Sequence, residues 1–205
     1  MLHLTTIDTT TYLRLQQIFT TEIIKNNFAL AGGTSLALQI GHRKSIDLDI
    51  FCGYQFDVKE LEIVLKTNPA FDFSYTGNNS RMLFGTINEI KCDFVHEPAT
   101  LLEPFTITDG VSYFSVKDIA AMKLHTICGR GKKKDFFDVS ALLQLYSREM
   151  LMEWFTKKYD EKQLFFLWRS ILYFEDAEND PDIEGYSPFT KNWEEIKEFI
   201  KASFS

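Results

Sequence analysis

The 205-residue sequence predicts an α+β (mixed α/β) protein whose front half alternates strands with helices and whose rear half is helical. Three observations carry this. A period-two stretch at Ser45 to Phe51 reads as a half-buried strand, short apolar runs ending in Gly or Pro recur up to residue 98, and helical spacing dominates after Pro104. The changeover lies near 100–115, which divides the chain into a core over 1–110 and a helical part over 111–205 that closes a cleft.

Residues 9–27 read as an opening helix, with Leu13, Ile18, Ile23 and Ile24 apolar and Thr9 to Thr11 as caps. Phe28 to Ala31 is a buried strand, broken by Gly32-Gly33. Thr34 to Ile40 is a helix stopped by Gly41. In the next strand Ile46, Leu48 and Ile50 point one way, and Ser45, Asp47 and Asp49 the other. Asp57 caps a helix over 58–66, ended by Asn68-Pro69. Strands follow over 70–76 and 82–95, the second folded at Asn88-Glu89. Past Pro98 the pattern turns helical: Val116 to Cys128, a basic interruption at Gly129 to Lys134, Asp135 to Tyr146, then more helix from Met150 to Phe204 around an acidic loop near 175–184.

Composition narrows the function classes. Hydrophobic residues make up 45% and charged residues 25%, which fits a packed core and excludes a disordered or coiled-coil chain. The 19 Phe point to an aromatic core. A net charge of −7 excludes a uniformly basic nucleic-acid-binding face, so any such contact uses a local patch. Cys52, Cys92 and Cys128 are odd in number and far apart, which argues for a reducing compartment. No leader-like start and no run of 18 apolar residues is visible, so the expectation is a cytoplasmic protein with no membrane partner.

The chemistry begins with Asp47-Leu48-Asp49. Carboxylates at i and i+2 share a strand face, and their repulsion is relieved by a divalent cation; two solvated acids are the alternative. Upstream, Gly32 and Gly33 let the backbone approach a ligand, and the helix start offers free N–H groups with the Thr34 or Ser35 hydroxyl, a seat for phosphate. Asp93, on a later strand, supplies a third carboxylate if that strand lies beside the first; three acids can hold two Mg2+ ions. Ser45 reads as a hydrogen-bond support for the acids or as a modification site. His42, His96 and His125 lack ligand spacing.

Gly32-Gly33-Thr34, Arg43-x-Ser45-x-Asp47-Leu48-Asp49 and Lys91-x-Asp93 resemble the minimal polymerase-β-like nucleotidyltransferase pattern. Asp118-x4-Lys123, Arg130 and Lys134-Asp135-x2-Asp138 resemble the C-terminal motif of the AbiEii/AbiGii-type toxin nucleotidyltransferases of bacterial toxin–antitoxin and phage-abortive systems. The resemblance implies a polymerase-β-like core followed by a helical bundle. It implies that Gly32, Gly33 and Thr34, with Ser35 and Arg43 beside them, hold the triphosphate. Asp47, Asp49 and Asp93 would bind Mg2+, two ions, or Mn2+ in its place. Asp93 would also serve as base, Lys123 would neutralise the departing pyrophosphate, and Asp135 would be a further active-site residue. NTP is the implied substrate, tRNA the implied acceptor through the Arg130–Lys134 loop, and an antitoxin the implied partner. A small hydroxylated acceptor, or an NTP-binding module without turnover, are the rival readings.

Overall fold

A computed structural model describes all 205 residues. Its centre is a seven-stranded mixed sheet in the order β3-β4-β5-β2-β1-β7-β6. The opening helix of the sequence reading is two helices, α1 (Thr9–Ile18) and α2 (Glu22–Asn27), because the chain turns at Thr20 and Thr21. Strand β1 is only Ala29–Leu30, yet it sits mid-sheet, antiparallel to β2 (Leu48–Cys52) and parallel to β7 (Val111–Tyr113). Between β1 and β2 lies α3 (Gly32–Ile40), ended by Gly41 at φ +73°, whose N–H reaches the Ala37 carbonyl at 2.8 Å.

Helix α4 (Val58–Thr67) starts at Asp57, whose carboxylate accepts from the Lys59 and Glu60 N–H groups at 2.8 and 3.1 Å. It buries Leu61 and Leu65, one turn apart, on the sheet. Strands β3 (Phe73–Asn79), β4 (Met82–Ile87) and β5 (Ile90–His96) form an antiparallel meander. Asn88 and Glu89 make its second turn with φ of 50° and 68°, the doubly left-handed geometry that matches strand twist.

One element runs against expectation. The segment read as the onset of helix contains a hairpin, β6 (Thr106–Thr108) and β7, folded at Asp109-Gly110 with φ of 51° and 81°. Asp-Gly between Thr-Ile-Thr and Val-Ser-Tyr is a hairpin signal, overlooked because the strands are three residues long. The sheet therefore reaches Tyr113, and its last hairpin crosses residue 110.

The rear of the chain supplies α5 (Val116–Gly129), α6 (Lys133–Leu145), α7 (Arg148–Lys158), α8 (Lys162–Ser170) and α9 (Trp193–Phe204). Strand alternation splits the core in two. Leu30, Leu48, Ile50 and Phe94 pack against α1 and α4, while Ala29, Ala31 and Phe114 pack on the bundle built around Ile119, Leu124, Phe136 and Phe155. The loop before α9 returns to the front of the molecule: Gly185 bridges Arg43, and the Tyr186 N–H meets the His42 carbonyl at 2.8 Å. No helix is long and apolar enough to cross a membrane.

Candidate active site

Strand parity decides where the acids face. Leu48, Ile50, Cys92 and Phe94 are fully buried against α1 and α4, so Asp49 and Asp93 emerge on the bundle side. β2 and β5 run parallel with Asp49 directly opposite Asp93. Asp47 precedes β2, which begins three residues later than the alternation suggested; the Ser45 N–H is taken by the Thr6 carbonyl at 2.9 Å, and Ile46 is exposed.

The glycine turn is fitted to these acids. Gly32 has φ +64°, and a Cβ there would run into the Asp49 carboxylate. A Cβ on Gly33 would lie 2.5 Å from Arg43 Nη2. The two neighbouring hydroxyls point elsewhere. Thr34 is buried, donates to the Asp47 carbonyl and lies 2.8 Å from Ser45 Oγ; Ser35 is fully buried and accepts from Gln39 at 3.0 Å. The expected phosphate contacts from Thr34 and Ser35 are thus replaced by bonds that tie α3 to the 45–47 segment and to its own next turn.

A polar pocket of about 290 Å³ opens over the acids. Its walls carry six cations, Arg43, Lys91, Lys123, Arg130, Lys132 and Lys134, against four carboxylates, Asp47, Asp49, Asp93 and Asp135. Lys91 pairs with Asp93 at 2.8 Å and Lys134 with Asp47 at 3.7 Å. Burial pushes the Asp49 carboxyl up, Lys123 opposes this, and the Asp93 charge adds to it.

Behind the pocket lies a charge hub centred on Asp138, a residue of the C-terminal motif to which the sequence analysis gives no role of its own. Asp138 is fully buried and receives Arg43 Nε at 2.7 Å, Arg43 Nη2 at 3.0 Å, His42 Nε2 at 2.7 Å and Lys123 Nζ at 2.7 Å. Lys123 also meets Asp135 Oδ1 at 3.0 Å. Burial alone would raise the Asp138 carboxyl, but Arg43, Lys123 and the His42 hydrogen bond hold it well below the usual carboxylate range. For Lys123, burial is outweighed by Asp138 and Asp135, which keep its ammonium charged. His42 is pushed down by burial, with Asp138 pulling the other way. The signal for Asp138 was its spacing: three residues after Asp135 on a helix puts both on one face. Asp118, in the same string of residues, lies outside the pocket. It accepts from Ser115, the Leu102 and Glu103 N–H groups and Lys158 at the start of α5.

The donors available to a metal are carboxylate oxygens, the set that hard cations prefer. Asp93 Oδ1 is buried without a hydrogen-bond partner. No three His, Cys, Asp or Glu side chains stand close enough to form a closed ligand set, and lysines 91 and 134 lie against two of the acids. The residues suit a divalent ion in the chemistry of their donors, while Lys91 and Lys134 occupy two of the three acids.

The family described as "Nucleotidyl transferase AbiEii toxin, Type IV TA system" matches residues 14–74 and 89–203. An uncharacterized protein of Aquifex aeolicus (strain VF5), aq_aa25, is 34% identical over 184 residues, 87% of this chain and 86% of that protein. Among solved structures, JHP933 from Helicobacter pylori superposes with a TM-score of 0.51 at 16% identity, covering 97% of this chain and 93% of that one. The nucleotidyltransferase toxin MenT4 (Rv2826c) of Mycobacterium tuberculosis H37Rv gives a TM-score of 0.51 at 12% identity, with 95% and 83% covered. At these identities the two structures speak to the fold, which is that of nucleotidyltransferases.

Proposed function

The chain belongs to the AbiEii nucleotidyltransferase toxin family, and from that premise we propose that it moves a nucleoside monophosphate from an NTP to the terminal hydroxyl of tRNA, under Mg2+, with a cognate antitoxin holding it in check. Nucleotidyl transfer and the toxin role belong to the family. The acceptor, the metal and the residue roles are our reading.

One observation supports it above the rest: Asp49 and Asp93 face each other on adjacent parallel strands beneath the Gly32 turn, in one pocket with Lys123. Asp47, Asp49 and Asp93 would hold Mg2+, two ions, which when bound would offset triphosphate charge and lower the pKa of the acceptor hydroxyl. The pocket's cations, Lys123 with Lys132, Lys134 and Arg130, would seat the β- and γ-phosphates beside the Gly33 backbone. The acceptor hydroxyl gives its proton to Asp93 and its oxygen bonds to the α-phosphorus. The bond from that phosphorus to the bridging oxygen breaks, and pyrophosphate carries the electron pair away against Lys123. Asp135 and Asp138 keep Lys123 charged and aimed.

Incubation with labelled NTPs, Mg2+ and cellular RNA tests this. Label in the tRNA band with release of pyrophosphate is expected. Transfer to no acceptor of any kind overturns the reading, and release of nucleoside diphosphate would make the protein a phosphotransferase instead.

A further inference from the structure

A second and larger cleft, about 880 Å³, shares Asp49, Asp93 and Arg130 with the cationic pocket and runs from them toward β4 and the end of α7. Its character differs. Phe84, Val95, Tyr159 and the His125 ring form its broad walls. The His125 and Tyr159 rings are stacked, with centroids 4.2 Å apart and planes 11° from parallel. Tyr159 is anchored through its hydroxyl to Glu97 at 3.4 Å. Arg81, at the start of β4, lies on the rim, exposed, with no carboxylate paired to it.

We propose that this cleft takes the acceptor as a terminal nucleotide of single-stranded nucleic acid, with its base stacked on His125 and a backbone phosphate on Arg81. The inference rests on the transfer reading above. In-line displacement needs the attacking oxygen and the leaving group on opposite sides of the phosphorus, and two clefts that meet at the same carboxylates supply two such sides. The smaller, purely polar one suits pyrophosphate. The larger one has flat rings, the platform on which a base of any sequence can stack. Arg81 favours a nucleic-acid acceptor over a small hydroxylated one. It is a cation of this cleft that the polar pocket does not share, and a backbone phosphate of the acceptor is a partner it fits, whereas Lys123, Arg130, Lys132 and Lys134 stand in the other pocket for the phosphates of the NTP. Burial also lowers the His125 pKa, against the pull of Glu97, which favours a neutral stacking ring.

The test measures bulk tRNA binding and Mg–ATP and Mg–CTP binding separately on the full chain, for wild type, His125→Ala, His125→Phe and Arg81→Ala. His125→Ala is expected to weaken tRNA binding by about tenfold to a hundredfold, the loss of one stacked base, with nucleotide affinity unchanged. His125→Phe keeps a flat ring and restores binding. Arg81→Ala, at an exposed position that folding tolerates, lowers the salt slope of tRNA binding by about one. Loss of nucleotide affinity in the His125 variants would assign the platform to the NTP base and overturn the proposal; so would unchanged tRNA affinity in both Arg81→Ala and His125→Ala. A wild-type chain that transfers nucleotide to another acceptor but binds no tRNA overturns this inference and the tRNA acceptor, and leaves nucleotidyl transfer standing. One that transfers to nothing overturns the reading beneath it.

Discussion

Replacing Asp138 by Asn keeps the shape of the side chain and removes its charge. The structure sets a large expected cost. Asp138 is fully buried, its two oxygens receive Arg43, His42 and Lys123, and an amide can accept through one oxygen only. Its nitrogen would face cationic donors, and Arg43 and Lys123, both under a tenth exposed, would lose their shared counter-charge. Breaking one side of a buried ion pair costs about 3–5 kcal/mol. Total stabilities run to about 5–15 kcal/mol. For a chain of this size the loss corresponds to a fall in Tm of about 6–20 °C. Urea and thermal unfolding at neutral pH would read it. An acid titration adds a second signature. The Asp138 pKa is depressed in the folded state, so its stabilisation is present above the ordinary carboxylate value near pH 4 and is lost as the pH falls through the folded value. The Asn variant should lack that limb. Glu153→Gln, which breaks the exposed Lys157 pair, serves as the control and should unfold like the wild type. A D138N protein within about 1 kcal/mol of wild type, with the acid limb intact, would refute the hub as the organiser of Lys123 and Arg43.

Asp49→Asn should separate stability from activity. Burial raises the Asp49 pKa, so the folded protein disfavours the charge and the amide should melt at or above wild type in metal-free buffer, while nucleotide transfer falls by about a hundredfold or more. Gly32→Ala should cost about 1–2 kcal/mol for its left-handed backbone and lower transfer further by displacing the Asp49 carboxylate, read by melting and by labelled-NTP assay. Chelation of divalent ions should abolish transfer, with Mg2+ restoring it and far-ultraviolet circular dichroism unchanged throughout. Retained transfer under EDTA would remove Asp47, Asp49 and Asp93 from the metal role.

Much of this was legible in the chain because the informative residues obey short-range rules. Alternation around Leu48 and Ile50 gave the face of Asp49, and the same parity at Cys92 and Phe94 gave that of Asp93. The adjacency of β2 and β5 is a long-range pairing that no local pattern encodes, and the two came together only through the resemblance. Side-chain partners were the least legible. Thr34 and Ser35 look like phosphate ligands by type, yet their hydroxyls are spent inside the protein, and nothing in a run of residues tells a free hydroxyl from an engaged one. Asp138 was hidden for a related reason. Its role is defined by three partners from two distant segments, positions 42, 43 and 123, which meet only in the folded chain. The hairpin at Asp109-Gly110 was lost to the brevity of its strands.

The bridge between Arg43 and Gly185, with the Tyr186 N–H on the His42 carbonyl, tethers a late segment to the backbone that carries two of the three side chains on Asp138. A chain cut short before residue 185 would keep every side chain that lines the cationic pocket and lose this tether.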